Sequence, residues 1–286
     1  EGYYAVSLLA PYPKYVFPDR MADTRTLEFT EEEQLSDDVT TVYQLEDGNV
    51  LYYEFYRRRL YVKWDDREIS AQLPPGSINY LCLHGNAIYF EANRLMHKVS
   101  FSSQNAVTSI NYVRDQLESE QLIVGGICTQ IRDEKTFVYR MSDDLEKDCI
   151  AITAPSANEK MMLYGIHRGR VIYTKRRLDI NRPSARILSE NVIFAELPES
   201  RCSSFPIVRD ASRFAYFTEE GYLDTLDLEK LQFLPPLSFG AYMEGRMRCP
   251  RRVSKIVGVH EGVITVISKR RHGDYLERAK LPTEYV

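Results

Sequence analysis

Three kinds of side chain in this sequence have types and spacing that could do chemistry: isolated histidines, short acidic runs, and clusters of arginine and lysine. His84, His167 and His260 each precede a small or polar turn that opens onto an apolar, aromatic run. Three imidazoles on one face could hold a metal ion, but these three belong to separate repeats of the chain, and ordinary turn hydrogen bonding is the expected role. The runs Glu31-Glu32-Glu33, Asp37-Asp38 and Asp143-Asp144 supply paired carboxylates. Acid-base work also needs a nucleophile or a carboxyl raised by burial, and nothing adjacent provides one, so solvated loops are predicted. His260-Glu261 begins like a metal-binding helix, yet Gly262-Val263-Ile264-Thr265 follows without a second histidine. The sequence contains no G-x-S-x-G elbow, phosphate loop or EF-hand loop. It therefore predicts no enzyme, no cofactor and no metal.

The 286 residues carry 37 basic and 41 acidic side chains, a net charge of -4, which argues against a basic nucleic-acid domain overall. The apolar share, 44%, suits a folded chain. No apolar run approaches the length of a membrane helix. The five cysteines, Cys82, Cys128, Cys149, Cys202 and Cys249, form no C-x-x-C pair and read as reduced thiols of a cytoplasmic or nuclear protein. The amino end, Glu1-Gly2-Tyr3-Tyr4, has no initiator Met and no leader, so a piece of a longer protein is expected.

The elements that position these groups are strands. Tyrosine occurs 20 times and tryptophan once, with the tyrosines in short β-like runs. Leu45-Glu46-Asp47-Gly48-Asn49-Val50-Leu51-Tyr52-Tyr53 aligns with Leu83-His84-Gly85-Asn86-Ala87-Ile88-Tyr89-Phe90, and Ile166-His167-Arg168-Gly169-Arg170-Val171-Ile172-Tyr173 is a third copy. Weaker copies begin at Ile131, Val208 and Val259. Each leads to a polar turn and a further strand, as over 60–64, 95–101, 178–180, 223–228 and 275–281. Helical turns are predicted only within 112–120 and 227–234. Six copies of hairpin plus third strand at about forty-residue spacing match the period of a β-propeller blade.

On these copies the chain resembles a divergent β-propeller, like WD-repeat or kelch proteins. Trp64-Asp65 is similar to the WD dipeptide and Gly125-Gly126 to the kelch glycine pair, once each, so no single family is assigned. The expectation is an all-β fold: one closed propeller of seven blades over 1–286, each of about four antiparallel strands. Residues 1–38 form a degenerate or closing blade, with strands at 3–9, 14–17 and 26–29, and 39–286 hold six clearer repeats. Six blades is the alternative, if the residues before Val39 only decorate the ring. The last unit ends at Leu281 after three strands, so its outer strand should come from the amino end or from sequence before Glu1. A β-sandwich is the other architecture such spacing allows.

Basic residues are the one patterned surface signal. Arg57-Arg58-Arg59, Lys175-Arg176-Arg177 and Lys269-Arg270-Arg271 all fall at the turn between second and third strands, with Arg94, His97 and Lys98 close to the same place. A further basic loop is predicted over 246–255. These nine triplet residues predict a docking face for an acidic or phosphorylated segment of a protein partner, since arginine forks and lysine charges suit carboxylates and phosphates. The function expected is a non-catalytic interaction scaffold in a larger intracellular assembly. An RNA-binding propeller, opposed by the overall acidity, and an enzyme with a central-channel site invisible to motifs are the alternatives. No membrane partner is expected.

Overall fold

The computed structural model describes residues 24–64, 66–93, 95–111, 122–123, 127–132, 135–141, 147–153, 159–167, 170–177, 183–189, 192–196, 213–219, 221–230 and 232–286, and between 111 and 196 the backbone alone. The described residues are strands joined by turns, with a single 3-10 turn at Thr283–Tyr285. They fall into two compact units, 36–157 and 1–35 with 158–286.

The first strand, β1 (Phe29–Gln34), belongs to the discontinuous unit and is placed below. Unit 36–157 holds three four-stranded antiparallel sheets in chain order. They are β2 (Val39–Gln44), β3 (Val50–Glu54), β4 (Arg59–Trp64) and β5 (Arg67–Gln72); β6 (Ile78–His84), β7 (Ala87–Ala92), β8 (Leu95–Phe101) and β9 (Ala106–Asn111); and β10 (Leu122–Ile123), β11 (Ile127–Arg132), β12 (Lys135–Met141) and β13 (Lys147–Thr153). Gly48 and Gly85 sit in the first turns of the first two sheets at φ 87° and 60°, a conformation glycine reaches without a Cβ clash. The Asp47 carboxylate accepts from the Asn49 N–H at 3.0 Å, and the Asn86 side chain accepts from the Glu46 N–H at 2.9 Å. The core of this unit is built from the apolar runs after those turns, with Leu51, Leu60, Ile88 and Phe90 fully buried. The tyrosines also have a structural role. Tyr52 and Tyr61 stack across β3 and β4 at 4.8 Å, and Lys63 and Arg59 cap the two rings at 5.2 and 4.6 Å.

The other unit holds β14 (Glu159–His167), β15 (Arg170–Arg177), β16 (Pro183–Ser189) and β17 (Val192–Glu196), then β18 (Phe214–Glu219) and β19 (Tyr222–Asp227), with β20 (Gln232–Phe233) and β21 (Leu237–Ser238) both paired to β19. A two-stranded ribbon follows, β22 (Ala241–Glu244) with β23 (Met247–Pro250). The last sheet is β24 (Arg252–His260), β25 (Val263–Arg270) and β26 (Gly273–Lys280), and its fourth strand is β1. The outer strand of the final repeat thus does come from the amino-terminal part of the chain, with Glu33 opposite Leu276 and Gln34 opposite Tyr275. Leu223, Phe239, Ile264, Val266 and Ala279 centre the core of this unit.

Several sequence expectations are corrected. Glu31, Glu32 and Glu33 are not loop residues but the body of β1, because two of them find arginines on other strands of its sheet: Glu31 meets Arg278 of β26 at 2.7 Å and Glu32 meets Arg270 of β25 at 2.6 Å. The described residues of 227–234 hold no helix; the buried Asp227 carboxylate accepts from the N–H groups of Glu229 and Lys230 at 3.0 and 3.1 Å and fixes a turn instead. Thr26 makes only an isolated bridge to Ser238. The strand pairing with β15 is 183–189, and the predicted strand at 178–180 lies outside the described residues, as do those at 3–9 and 14–17, the predicted helical turn at 112–120, and Gly169. The described residues form six four-stranded sheets and the ribbon; a seventh four-stranded sheet does not occur among them.

Candidate interaction surfaces

In unit 36–157 the turn between β3 and β4 is Phe55-Tyr56-Arg57-Arg58. Arg58 takes φ 50°, and its guanidinium closes on the carbonyl of Pro74, Nε at 3.0 Å with Nη2 on the same oxygen. That clamp fixes the turn, and its apex stays outside: Phe55 is 56% exposed and Tyr56 78%. Their rings meet edge to face at 5.5 Å. Arg57 lies beside them, exposed, with Asp38 at 3.3 Å and Glu54 at 3.7 Å. Arg59 instead donates to the buried Glu54 at 2.9 Å and to Glu68 at 2.6 Å, and the Glu54 hydrogen bond raises its already high pKa. One residue of this triplet therefore faces outward, one is a backbone clamp and one is a sheet ion pair.

In the other unit Lys175, Arg176 and Arg177 are the last residues of β15 and pair with β14, Lys175 opposite Met161 and Arg177 opposite Glu159; they belong to a strand and not to a turn. Lys269 and Arg270 likewise end β25, and the turn itself is Arg271 and His272. Lys269 and Arg271 are exposed. Arg270 is not: its side chain is 10% exposed, lies between the rings of Tyr242 and Tyr275 at 4.5 and 4.2 Å, and pairs with Glu32 and Glu277. His97 and Lys98 fall within β8, the first buried against Phe90 at 5.0 Å and the second over Tyr89 at 5.6 Å, so neither lies at a turn. Arg94 lies outside the described residues.

The predicted basic loop at 246–255 is ordered structure, the second half of the β22–β23 ribbon and the start of β24. Gly245, at φ 62° with open space around it, makes the ribbon's turn, in the same acidic-residue-then-glycine pattern as Asp47-Gly48 and Glu261-Gly262. That pattern is the signal from which the hairpin could have been read. Met243 and Met247 are 63% and 57% exposed, and Arg246, Arg248 and Arg252 are exposed beside them. No ion pair is made by Arg246, Arg248, Arg252, Lys269 or Arg271 among the described residues, whereas Arg25, Arg57, Arg59, Arg213 and Arg278 all have carboxylate partners. At the ribbon's base Arg251 turns inward, donating to the Glu277 carboxylate at 2.9 and 3.0 Å and to the carbonyls of Phe239 and Ala241 at 3.2 Å each. Residue type alone could not separate Arg251 from Arg252; strand alternation does.

His84, His167 and His260 are the last residues of β6, β14 and β24, equivalent positions as the alignment expected. Among the described residues no three histidine, cysteine or acidic side chains converge as metal ligands, and no helix is long and apolar enough to cross a membrane.

No family model matches the chain, and no curated protein sequence matches it. Among solved structures, a catalytically inactive virginiamycin B lyase from Staphylococcus aureus, with quinupristin, matches at a TM-score of 0.50 and 10% identity, over 89% of this chain and 100% of that one. The chain is a β-propeller. Two further structures similar to this propeller are YCF48 bound to a D1 peptide, at a TM-score of 0.46 and 12% identity over 91% of this chain and 100% of that one, and the WD40 domain of SCAP from fission yeast, at 0.42 and 10% over 86% and 66%. At these identities the likeness concerns the fold, and the propeller's activity has to be argued from its own surface.

Proposed function

We propose that this propeller is a non-catalytic protein-interaction scaffold of a larger assembly, and that its outward cations dock an acidic or phosphorylated segment of a partner. The observation that carries the reading is the set of exposed cations with no carboxylate of their own among the described residues, Lys269 and Arg271 from the predicted triplets together with Arg246, Arg248 and Arg252. An exposed charge left uncompensated in an acidic chain is available to a partner, and arginine meets carboxylate and phosphate through paired donors. The Phe55, Tyr56 and Arg57 apex is a second candidate contact, because rigid aromatics beside an arginine are the commonest anchors of protein interfaces. Arg58, Arg59 and Arg270 support the scaffold from within, and for Lys175, Arg176 and Arg177 the role rests on their chemistry alone. The scaffold itself is proposed to be a single closed ring of six four-stranded blades, with β1 as the closing strand; the six sheets and the pairing of β1 with β26 support that count over seven.

The test is affinity capture from native extract with this chain, with and without nuclease, against a variant carrying Arg57→Glu, Lys269→Glu and Arg271→Glu. A partner that survives nuclease, weakens as salt rises and is lost with the variant is the expected result. Capture that vanishes with nuclease, or that ignores both salt and the variant, refutes the reading.

A further inference from the structure

The ribbon β22–β23 differs from every other described sheet in having two strands where the rest have four. Isolated two-stranded ribbons are marginal in water. This one is held at its base, by Arg251 on the carbonyls of Phe239 and Ala241 and by Arg270 against Tyr242. Both of its outer edges lack a strand partner among the described residues. A preformed sheet edge with unpaired backbone groups is what an extended peptide adds to.

Pairing across the ribbon sets Met243 opposite Arg248 and Glu244 opposite Met247. Residues opposite one another share a face, so Arg248 projects on one face of β23 while Met247 and Cys249 project on the other. Beyond β23 stand Arg246 at the tip and Arg252 at the foot, all exposed cations; β22 carries Glu244, which sits 3.4 Å from His272. Charge thus distinguishes the two edges. An incoming carboxylate meets arginines along β23 and a glutamate along β22. The Arg251 N–H donates to the Gly240 carbonyl at 3.0 Å, so along β23 the N–H groups of Met247 and Cys249 face β22 and that of Arg248 faces outward; Pro250, at the next outward position, has no N–H and ends the usable edge.

We infer that the free edge of β23 takes up an extended acidic segment of a protein partner by strand addition, with acidic residues beside Arg246 and Arg248 alternating with apolar residues beside Met247 and Cys249. This deepens the docking function proposed above and rests on it. A single-stranded nucleic acid is the less suited occupant: it would need open aromatic platforms, and the ribbon's own ring, Tyr242, is covered by Arg270 at 4.5 Å.

The probe is a fluorescent synthetic peptide of alternating glutamate and leucine, titrated onto the whole chain by anisotropy. Beside it run an analogue of the same composition interrupted by proline, polyglutamate of the same charge, and a single-stranded oligonucleotide. The parent chain should bind the alternating peptide about tenfold more tightly than the proline analogue or polyglutamate, and the peptide should slow amide exchange of Arg248, whose N–H faces away from β22. Replacing Arg246 and Arg248 by Glu should cost tenfold or more in affinity and make the remainder insensitive to salt. Arg248→Pro, which removes the β23 N–H that faces away from β22, should abolish the preference for the alternating peptide; unchanged circular dichroism shows that either variant still folds. Equal binding of the proline analogue, equal binding by the Arg246→Glu, Arg248→Glu variant, or tighter binding of the oligonucleotide overturns strand addition at β23. Those results leave the broader docking function standing if extract capture still depends on Arg57, Lys269 and Arg271, so the two failures are distinguishable.

Discussion

Replacing Glu277 with Leu should be among the most damaging single changes in the discontinuous unit. Its side chain is fully buried, and its carboxylate accepts from Arg251 Nε at 2.9 and 3.0 Å, from Arg270 Nη2 and from the Ser268 hydroxyl. Removing it leaves two guanidiniums, each only 10% exposed, without their shared counter-ion. Arg270 keeps Glu32 and Arg251 keeps two carbonyls, which softens the loss but does not cancel it. Breaking one side of a buried ion pair costs about 3–5 kcal/mol, most of it the stranded charge. For a chain of this size that is a fall of roughly 5–8 °C in melting temperature. Urea unfolding followed by circular dichroism measures the loss, and hydrogen exchange should place it in β24, β25 and β26. Adding Arg251→Met to Glu277→Leu should recover part of it, because one of the unmatched charges is then gone. A loss below about 1 kcal/mol, or a double variant as weak as the sum of its parts, would refute this assignment of the cost to unpaired charge.

Gly85→Val should lose roughly 1–3 kcal/mol in the same assay. An added Cβ would meet only the Glu46 carboxylate at an ordinary 3.7 Å, so the strain lies in φ 60°, and an unchanged midpoint would place the turn elsewhere. Burial lowers the Lys255 ammonium from 10.5 to about 8. The folded state therefore binds fewer protons between those values, so stability rises with pH across that window. Lys255→Met should add about 1–3 kcal/mol at neutral pH and flatten the rise, read by melting from neutral to alkaline pH; parallel profiles would refute it. Burial opposes ionisation of Asp227, but Arg213 and the N–H groups of Lys230 and Glu229 outweigh it and hold its carboxyl below the usual range. Its stabilisation is present above the unfolded carboxyl's pKa and is lost as pH falls through the folded value. Asp227→Asn should therefore remove acid sensitivity below about pH 4, where an unaltered acid limb would count against the turn.

The strands β3 and β7 were legible because each follows a short turn that glycine marks, at Gly48 and Gly85, and because Leu51, Ile88 and their neighbours form unbroken apolar runs. What the sequence hid was direction. Arg57, Arg58 and Arg59 read as one triplet, and the structure gives them three different jobs, since successive residues at a turn and strand start point to different sides. Arg251 and Arg252 diverge for the same reason. The acidic run in β1 looked like loop because the arginines that receive it, Arg270 and Arg278, lie at the other end of the sequence, and no local pattern encodes a pairing at that range. The exposed Met243 and Met247 resembled core residues by type; only a missing third strand reveals them as surface.

The pairing of β1 with β26 has a bearing on how the protein is made. Glu31 and Arg278, which close it, are 247 residues apart in the chain. As a free loop, that closure costs roughly 3–4 kcal/mol more in chain entropy than a hairpin of a few residues. During synthesis β1 is the first of the described strands to leave the ribosome, and its partner is the last. Until then its three consecutive glutamates keep a solitary strand hydrated and repel other copies of itself, so the charges that later latch the sheet first act as its guard against premature association on the polysome.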